Sequence, residues 1–198
     1  MATYVGISAA GKSVERLLNA CFAEEQPIET RTTRATLVRT EDFVKTGGPL
    51  KFSVPGLTIF MYRVDFNKTM RAAWSAIGNI DGRGHLPLDL HFLITPWADN
   101  AEHEQRILGK SMECLETTPI LSGPLLYPDP SAGWAPNEGI QIVLEEIATE
   151  AVMRTFDSLP TDYKLSVPYI ARVIRLDSKH AFRSPVVTDL IRGLQPQS

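Results

Sequence analysis

Leu86-Pro87-Leu88-Asp89-Leu90-His91-Phe92-Leu93-Ile94-Thr95-Pro96-Trp97 is the stretch that decides the fold. Leu86, Leu88, Leu90, Phe92 and Ile94 alternate along one face of an extended chain, and Leu93 adds apolar surface to the other. Pro96 has no N–H to give a ladder, which predicts that the strand stops near Thr95. Asp99 and Glu102 have capping-box spacing, and Ile107, Leu108, Ser111, Met112 and Leu115 follow at helical intervals, ending before Pro119. An apolar strand feeding a one-sided helix can bury both only if the helix folds back onto the sheet.

Upstream, Val14, Leu17, Leu18 and Cys21 form a helical stripe that Ile7 and Ala10 extend backward, and the helix should stop before Pro27. Ala35–Val38 is a short strand candidate, and Gly47-Gly48-Pro49 reads as a turn. Leu57–Phe66 is a second strong strand, with Leu57, Ile59 and Met61 on one face and Phe60, Tyr62, Val64 and Phe66 on the other. Apolar residues on both faces predict a central place in the sheet. Met70–Ile77 reads as a short helix or turn, and Asn79–Gly84 as a loop.

Downstream, Ser122–Gly139 is a long loop with four prolines, three glycines, Tyr127 and Trp134. Ile140–Ile147 is a strand, and Val152, Met153, Phe156 and Leu159 mark a short helix. Tyr163–Leu176 reads as a long strand with Leu165, Val167, Tyr169, Ala171 and Val173 on one face, and Pro168 predicts a bulge or an edge within it. Together these elements predict one α+β (mixed α/β) domain: a central mixed β-sheet covered by helices.

The 198 residues fit one large domain or two very small ones, and a net charge of −3 argues against a protein that works by neutralising many phosphates. No apolar run approaches a membrane span, and the N-terminus lacks the order of a signal peptide, so assembly is expected in the cytoplasm. Cys21 and Cys114 fall on the apolar sides of two helices and are expected to be buried, reduced thiols.

Gly6-Ile7-Ser8-Ala9-Ala10-Gly11-Lys12-Ser13 matches the phosphate-cradling pattern G-x-x-x-x-G-K-S. That chemistry needs a buried strand before the loop and a helix that begins after it. Only Ala2–Val5 precede Gly6, and the helical stripe runs through the match, so a surface helix carrying Lys12 is the expected outcome. Asp65 and Asp177 are the nearest candidates for a magnesium-binding acid. His85, His91, His103 and His180 have no ligand spacing, and Ser8, Ser13, Ser75 and Ser111 lack the strand-to-helix elbow of a nucleophile. Asp89 and the pair Glu145-Glu146 are expected on a solvated face. Arg63 and Arg175 interrupt apolar strands, and Arg71 and Arg106 flank structural elements; an arginine on a sheet seeks a carboxylate or a partner surface. For Arg63, pairing with Asp65, Asp89 or Glu145 and an intersubunit contact both remain open.

Three segments carry a resemblance. They are Leu57-Thr58-Ile59-Phe60-Met61-Tyr62-Arg63-Val64-Asp65-Phe66-Asn67 with Arg71; Leu90–Trp97 with Arg106-Ile107-Leu108-Gly109 and Pro119-Ile120-Leu121; and Tyr163–Tyr169 through Arg172-Val173-Ile174. In this order they resemble the tail terminator, or cap, proteins of phage-tail-like contractile injection systems of the antifeeding-prophage and virulence-cassette type. Phe92 stands where that pattern leads one to expect tyrosine, and Pro168 interrupts the last strand.

The resemblance implies a structural, non-catalytic ring-former without cofactor or metal. It would be a homo-hexamer that ends growth of the inner tube and joins tube to sheath. Its implied partners are its own copies, the inner-tube protein and the sheath protein, with no nucleic acid and no membrane insertion, inside a particle that is released or stays intracellular. The cap domain would span residues 1–177 and a C-terminal extension residues 178–198. Candidate assembly contacts are Arg63, Arg71, Arg106, Tyr127, Trp134, Leu190 and Ile191. The alternatives are a nucleotide-binding protein using Gly6–Ser13, or a non-ring adaptor or baseplate component of the same machine.

Overall fold

The structure is a computed structural model that describes residues 2–43, 50–70 and 83–181, the side chains of 179–181 excepted. Arg71, Leu190 and Ile191, the Gly47–Pro49 turn and most of the 70–84 connection lie outside the described residues.

A six-stranded sheet is built from β1 (Arg34–Val38), β2 (Gly56–Phe66), β3 (Arg83–Trp97), β4 (Ile120–Ser122), β5 (Gly139–Leu144) and β6 (Val167–Ala181). The spatial order is β1-β2-β3-β6-β5-β4. β1 lies parallel to β2, and every other pair is antiparallel. The expected α+β domain with a mixed sheet is therefore the observed one.

Helices α1 (Gly6–Glu24) and α2 (Ala101–Thr117) cover one face. Their stripes meet the alternating residues of the strands: Val14, Leu17, Leu18 and Phe22 from α1, and Ile107, Leu108 and Leu115 from α2, pack with Leu57, Ile59, Leu90, Phe92, Ile94, Tyr169 and Ile174. The opposite face carries a smaller core in which Phe43, Phe52, Leu93 and helix α3 (Thr149–Asp157) with Val152 and Phe156 pack beside Phe60 and Trp97. Burying apolar side chains on both faces is what makes β3 the axis of the domain.

Several expectations are corrected. β3 runs through Pro96, which pairs with Leu57. The ladder with β6 ends at Ile94, so proline sits beyond it where a missing donor is tolerated. The cap of α2 is Asn100, whose side chain accepts the His103 N–H at 2.8 Å, while Asp99 is drawn to Arg31. Cys21 and Cys114 form a disulfide with Cα atoms 6.3 Å apart, because the stripes of α1 and α2 pack against each other and bring the two positions face to face. Gly84 belongs to β3.

β6 begins at Val167 and continues to Ala181, past Asp177. Its irregularity falls where Leu88 pairs with Ile174 but Leu90 with Ala171, three residues beyond Pro168. This shift moves Ile174, not Val173, onto the buried face, while Leu165 lies before the strand and is exposed. β5 stops at Leu144, three residues short of its expected end.

Candidate functional site

The phosphate-loop match is helix. Gly6–Ser13 is the first two turns of α1, and only the single bridge of Ala2 with Leu176 precedes it. Amides that a cradle would aim at phosphate are committed elsewhere: the Gly6 N–H bonds Thr3 O at 2.8 Å and that of Ala9 bonds Val5 O at 3.0 Å. The glycines serve packing. A Cβ on Gly6 would lie 2.7 Å from Ala2 Cβ, and one on Gly11 would lie 3.2 Å from a Leu37 methyl. Ser13 is fully buried, donates to Ala9 O at 2.7 Å and accepts the Tyr127 N–H at 2.7 Å. Lys12 is half-exposed and pairs with Glu15 at 2.6 Å. Lys12→Ala should therefore change stability by less than about 0.5 kcal/mol. Titration with ATP and GTP should give no saturable signal in either protein; saturable binding lost in the variant would restore the nucleotide reading.

The densest polar constellation lies on the opposite face, where β2 and β3 leave the smaller core. Met61 pairs with Phe92 and Arg63 with His91, so two residues of β2, Tyr62 and Arg63, face one of β3. This bulge turns Tyr62 and Arg63 to the same side as His91 and throws Val64 and Phe66 to the face of Met61, opposite to their expected side. Glu145, immediately after β5, completes the cluster; its N–H bonds Pro168 O at 2.9 Å, which holds it beside β6.

Glu145 is buried, contrary to the solvated position expected of it. Its carboxylate accepts from Tyr62 Oη at 2.6 Å, Arg63 Nη2 at 2.7 Å and His91 Nδ1 at 2.9 Å. A carboxylate only accepts, so Nδ1 of His91 carries the proton that faces it. Arg63 also pairs with Asp65 at 3.0 Å, and His91 Nε2 lies 3.4 Å from the same carboxylate.

Burial acts to raise the carboxyl pKa of Glu145. The hydrogen bonds from Tyr62 and His91, with the charge of Arg63, outweigh it and hold the group below its ordinary range. Burial, followed by the hydrogen bond and charge of Glu145, pushes the Tyr62 hydroxyl well above its own. The cluster is thus an ionised carboxylate tied to three donors, a device that fixes the β2–β3–β5 geometry.

Within the chain Arg63 pairs with Asp65 and Glu145, and its side chain stays 44% exposed. Asp89 accepts from Asn67 at 3.1 Å, and Arg175 pairs with Asp177, which also bonds His85. Arg106 forms an exposed pair with Glu102 at 2.8 Å. Trp134 packs on the main core and donates to Tyr127 O at 3.2 Å, which folds the long loop over α1; the Tyr127 side chain stays partly exposed. Arg63, Arg106, Tyr127 and Trp134 are thus not gathered into one pocket. Among the described residues, no group of three or more His, Cys, Asp or Glu is placed to hold a metal ion, and no helix is long and apolar enough to cross a membrane.

Among the described residues, Met61–Phe66 has no strand on the outer side of β2, and Met61, Val64 and Phe66 are partly exposed. The expectation of a central strand thus holds for Gly56–Phe60 only.

A twisted mixed sheet, covered by two helices on one face and braced by an ionic cluster on the other, defines a rigid scaffold of the α+β class. Within that class, the family described as Pvc16 N-terminal domain matches residues 10–189, and the chain belongs to it. This bears out the resemblance carried by the three strand and helix segments. Among solved structures the fold is shared with a chain titled "Cryo-EM Structure of an Extracellular Contractile Injection System, PVC sheath/tube terminator in extended state", at 16% identity and a TM-score of 0.51. The match covers 88% of this chain and 59% of that one, so this chain spans little more than half of the terminator's length. Comparison with curated protein sequences found no match.

Proposed function

We propose that this chain is a structural component of a contractile injection system, acting as the terminator at the end of its tube. The observation that carries this reading is the family match over residues 10–189, together with a fold shared with a sheath/tube terminator. In this reading six copies close into a ring, one face of the ring ends the inner tube, and another surface joins the sheath. Such a ring needs a heterologous interface whose rotation closes, and rigid subunits to keep the rotation constant. The Glu145 cluster and the two cores supply that rigidity. No catalytic step or cofactor is part of the proposal, and Arg63, Arg106 and Tyr127 are the candidate contacts that reach solvent.

The test is to co-express the chain with the tube and sheath proteins of its own system and image the particles. Density for this chain in a closed ring at one tube end, with tubes of uncontrolled length when the chain is omitted, is the expected result. Particles that carry it at the baseplate, or as single copies along the sheath, would replace the terminator with the adaptor reading.

A further inference from the structure

Among the described residues β1 is the outermost strand on its side of the sheet, and its outer edge is already occupied. In a strand the N–H and C=O of one residue point to the same side, so residues 33, 35 and 37 face away from β2. Each meets a side chain from α1 or the residues just after it. Asn19 Nδ2 donates to Ala35 O at 2.9 Å while its Oδ1 accepts the Ala35 N–H at 3.0 Å. Glu15 Oε1 accepts the Leu37 N–H at 2.9 Å, and Gln26 Oε1 accepts the Thr33 N–H at 2.8 Å.

The match follows from helix and strand geometry. Residues i and i+4 of a helix are separated by about 6 Å along its axis, close to the roughly 6.7 Å spanned by two strand residues. A helix running antiparallel to β1 can therefore place Glu15 on residue 37 and Asn19 on residue 35. The Asn19 amide presents one donor and one acceptor to Ala35, as the peptide group of a neighbouring strand would. Lys12 holds the second oxygen of Glu15, and Asn19 Nδ2 is also anchored on Glu15 O at 2.9 Å. A groove of about 560 Å³, lined by Glu15, Asn19 and Gln26 together with residues 33–36, runs alongside these bonds.

We propose that Glu15, Asn19 and Gln26 form an edge lock that denies β1 to a second copy of this chain. Without the lock, β1 would present unpaired N–H and C=O groups, and two copies could join these edges antiparallel about a two-fold axis. Such pairing is self-complementary and would compete with any contact through which the subunit has to assemble. The inference rests on the hydrogen bonds of the β1 edge and is independent of the terminator reading.

The full chain carrying Glu15→Ala and Asn19→Ala, compared with its parent by sedimentation velocity at equal concentration, provides the test. The double variant is expected to sediment at twice the parent's mass or more and to return toward it on dilution. Glu15→Gln, which keeps the accepting oxygen, should behave as the parent does. A folded double variant with the parent's mass would overturn the proposal. Amide exchange tests the same bonds even if the double variant fails to fold. In the unaltered protein the Ala35 and Leu37 amides should exchange about a hundredfold more slowly than in unstructured chain, and Asn19→Ala should release Ala35. Unprotected Ala35 and Leu37 amides in the parent would equally overturn it.

Discussion

Glu145→Ala should destabilise the protein by about 3 kcal/mol, because it leaves His91 buried without its acceptor and Arg63 without its nearer carboxylate. The low end of the range for breaking a buried pair applies, since the Arg63 side chain is 44% exposed and water replaces part of what it loses. For a chain of this length the change corresponds to roughly 6–12 °C in Tm. Glu145→Gln should cost less, because an amide oxygen can still accept from one of the three donors.

The pH dependence carries a definite sign. The folded-state pKa of Glu145 lies below its ordinary 4.5, so its contribution is complete above that value and is lost as pH falls through the depressed one. The parent should therefore lose stability through that window more steeply than the Gln variant does. Urea unfolding at neutral and acidic pH measures both effects. A Glu145→Ala protein within about 0.5 kcal/mol of the parent, the scatter of an ordinary surface substitution, would show that the cluster does not brace the sheet.

What could be read from the chain, and what could not, divides along a physical line. β3 and α2 were legible because their periods, two and 3.6, are written in single runs of Leu, Ile and Phe. The bulge at Tyr62 was not, because one extra residue changes the facing of everything after it without changing the composition. Glu145 was missed for a related reason. Two adjacent glutamates near the end of the expected strand Ile140–Ile147 read as a solvated face, and only the meeting of Arg63 and His91 on one sheet face shows where the carboxylate goes.

Glu15 and Asn19 have the same ambiguity: polar residues at i and i+4 beside an apolar stripe describe a wet helix face as well as one lying along a strand edge. The disulfide depends on two helices packing so that cysteines 93 residues apart in sequence meet, which neither stripe encodes alone. Of the candidate contacts, Arg63 has intrachain partners, and Arg106 and Tyr127 sit at exposed positions.

Phe92→Ala should be the most damaging single change, costing about 3–5 kcal/mol. Phe92 is 2% exposed, lies between Met61 and Tyr169 on the neighbouring strands, and faces α1 where Gly11 brings the helix close to the sheet. Removing its ring deletes a large, nearly fully buried side chain between two neighbouring strands and α1. Phe92→Leu, which keeps most of the volume, should cost less than about 1.5 kcal/mol. The site also predicts a coupling. In the parent, Gly11→Ala presses on Leu37 methyls at 3.2 and 3.3 Å, with the Phe92 ring 3.8 Å away. Without the ring, Leu37 can swing into the vacated space, so Gly11→Ala should be better tolerated in the Phe92→Ala background than in the parent. A double-mutant cycle by urea unfolding should return a favourable interaction of at least about 0.5 kcal/mol. Strict additivity would mean that α1 and β3 do not share one packed contact at Gly11.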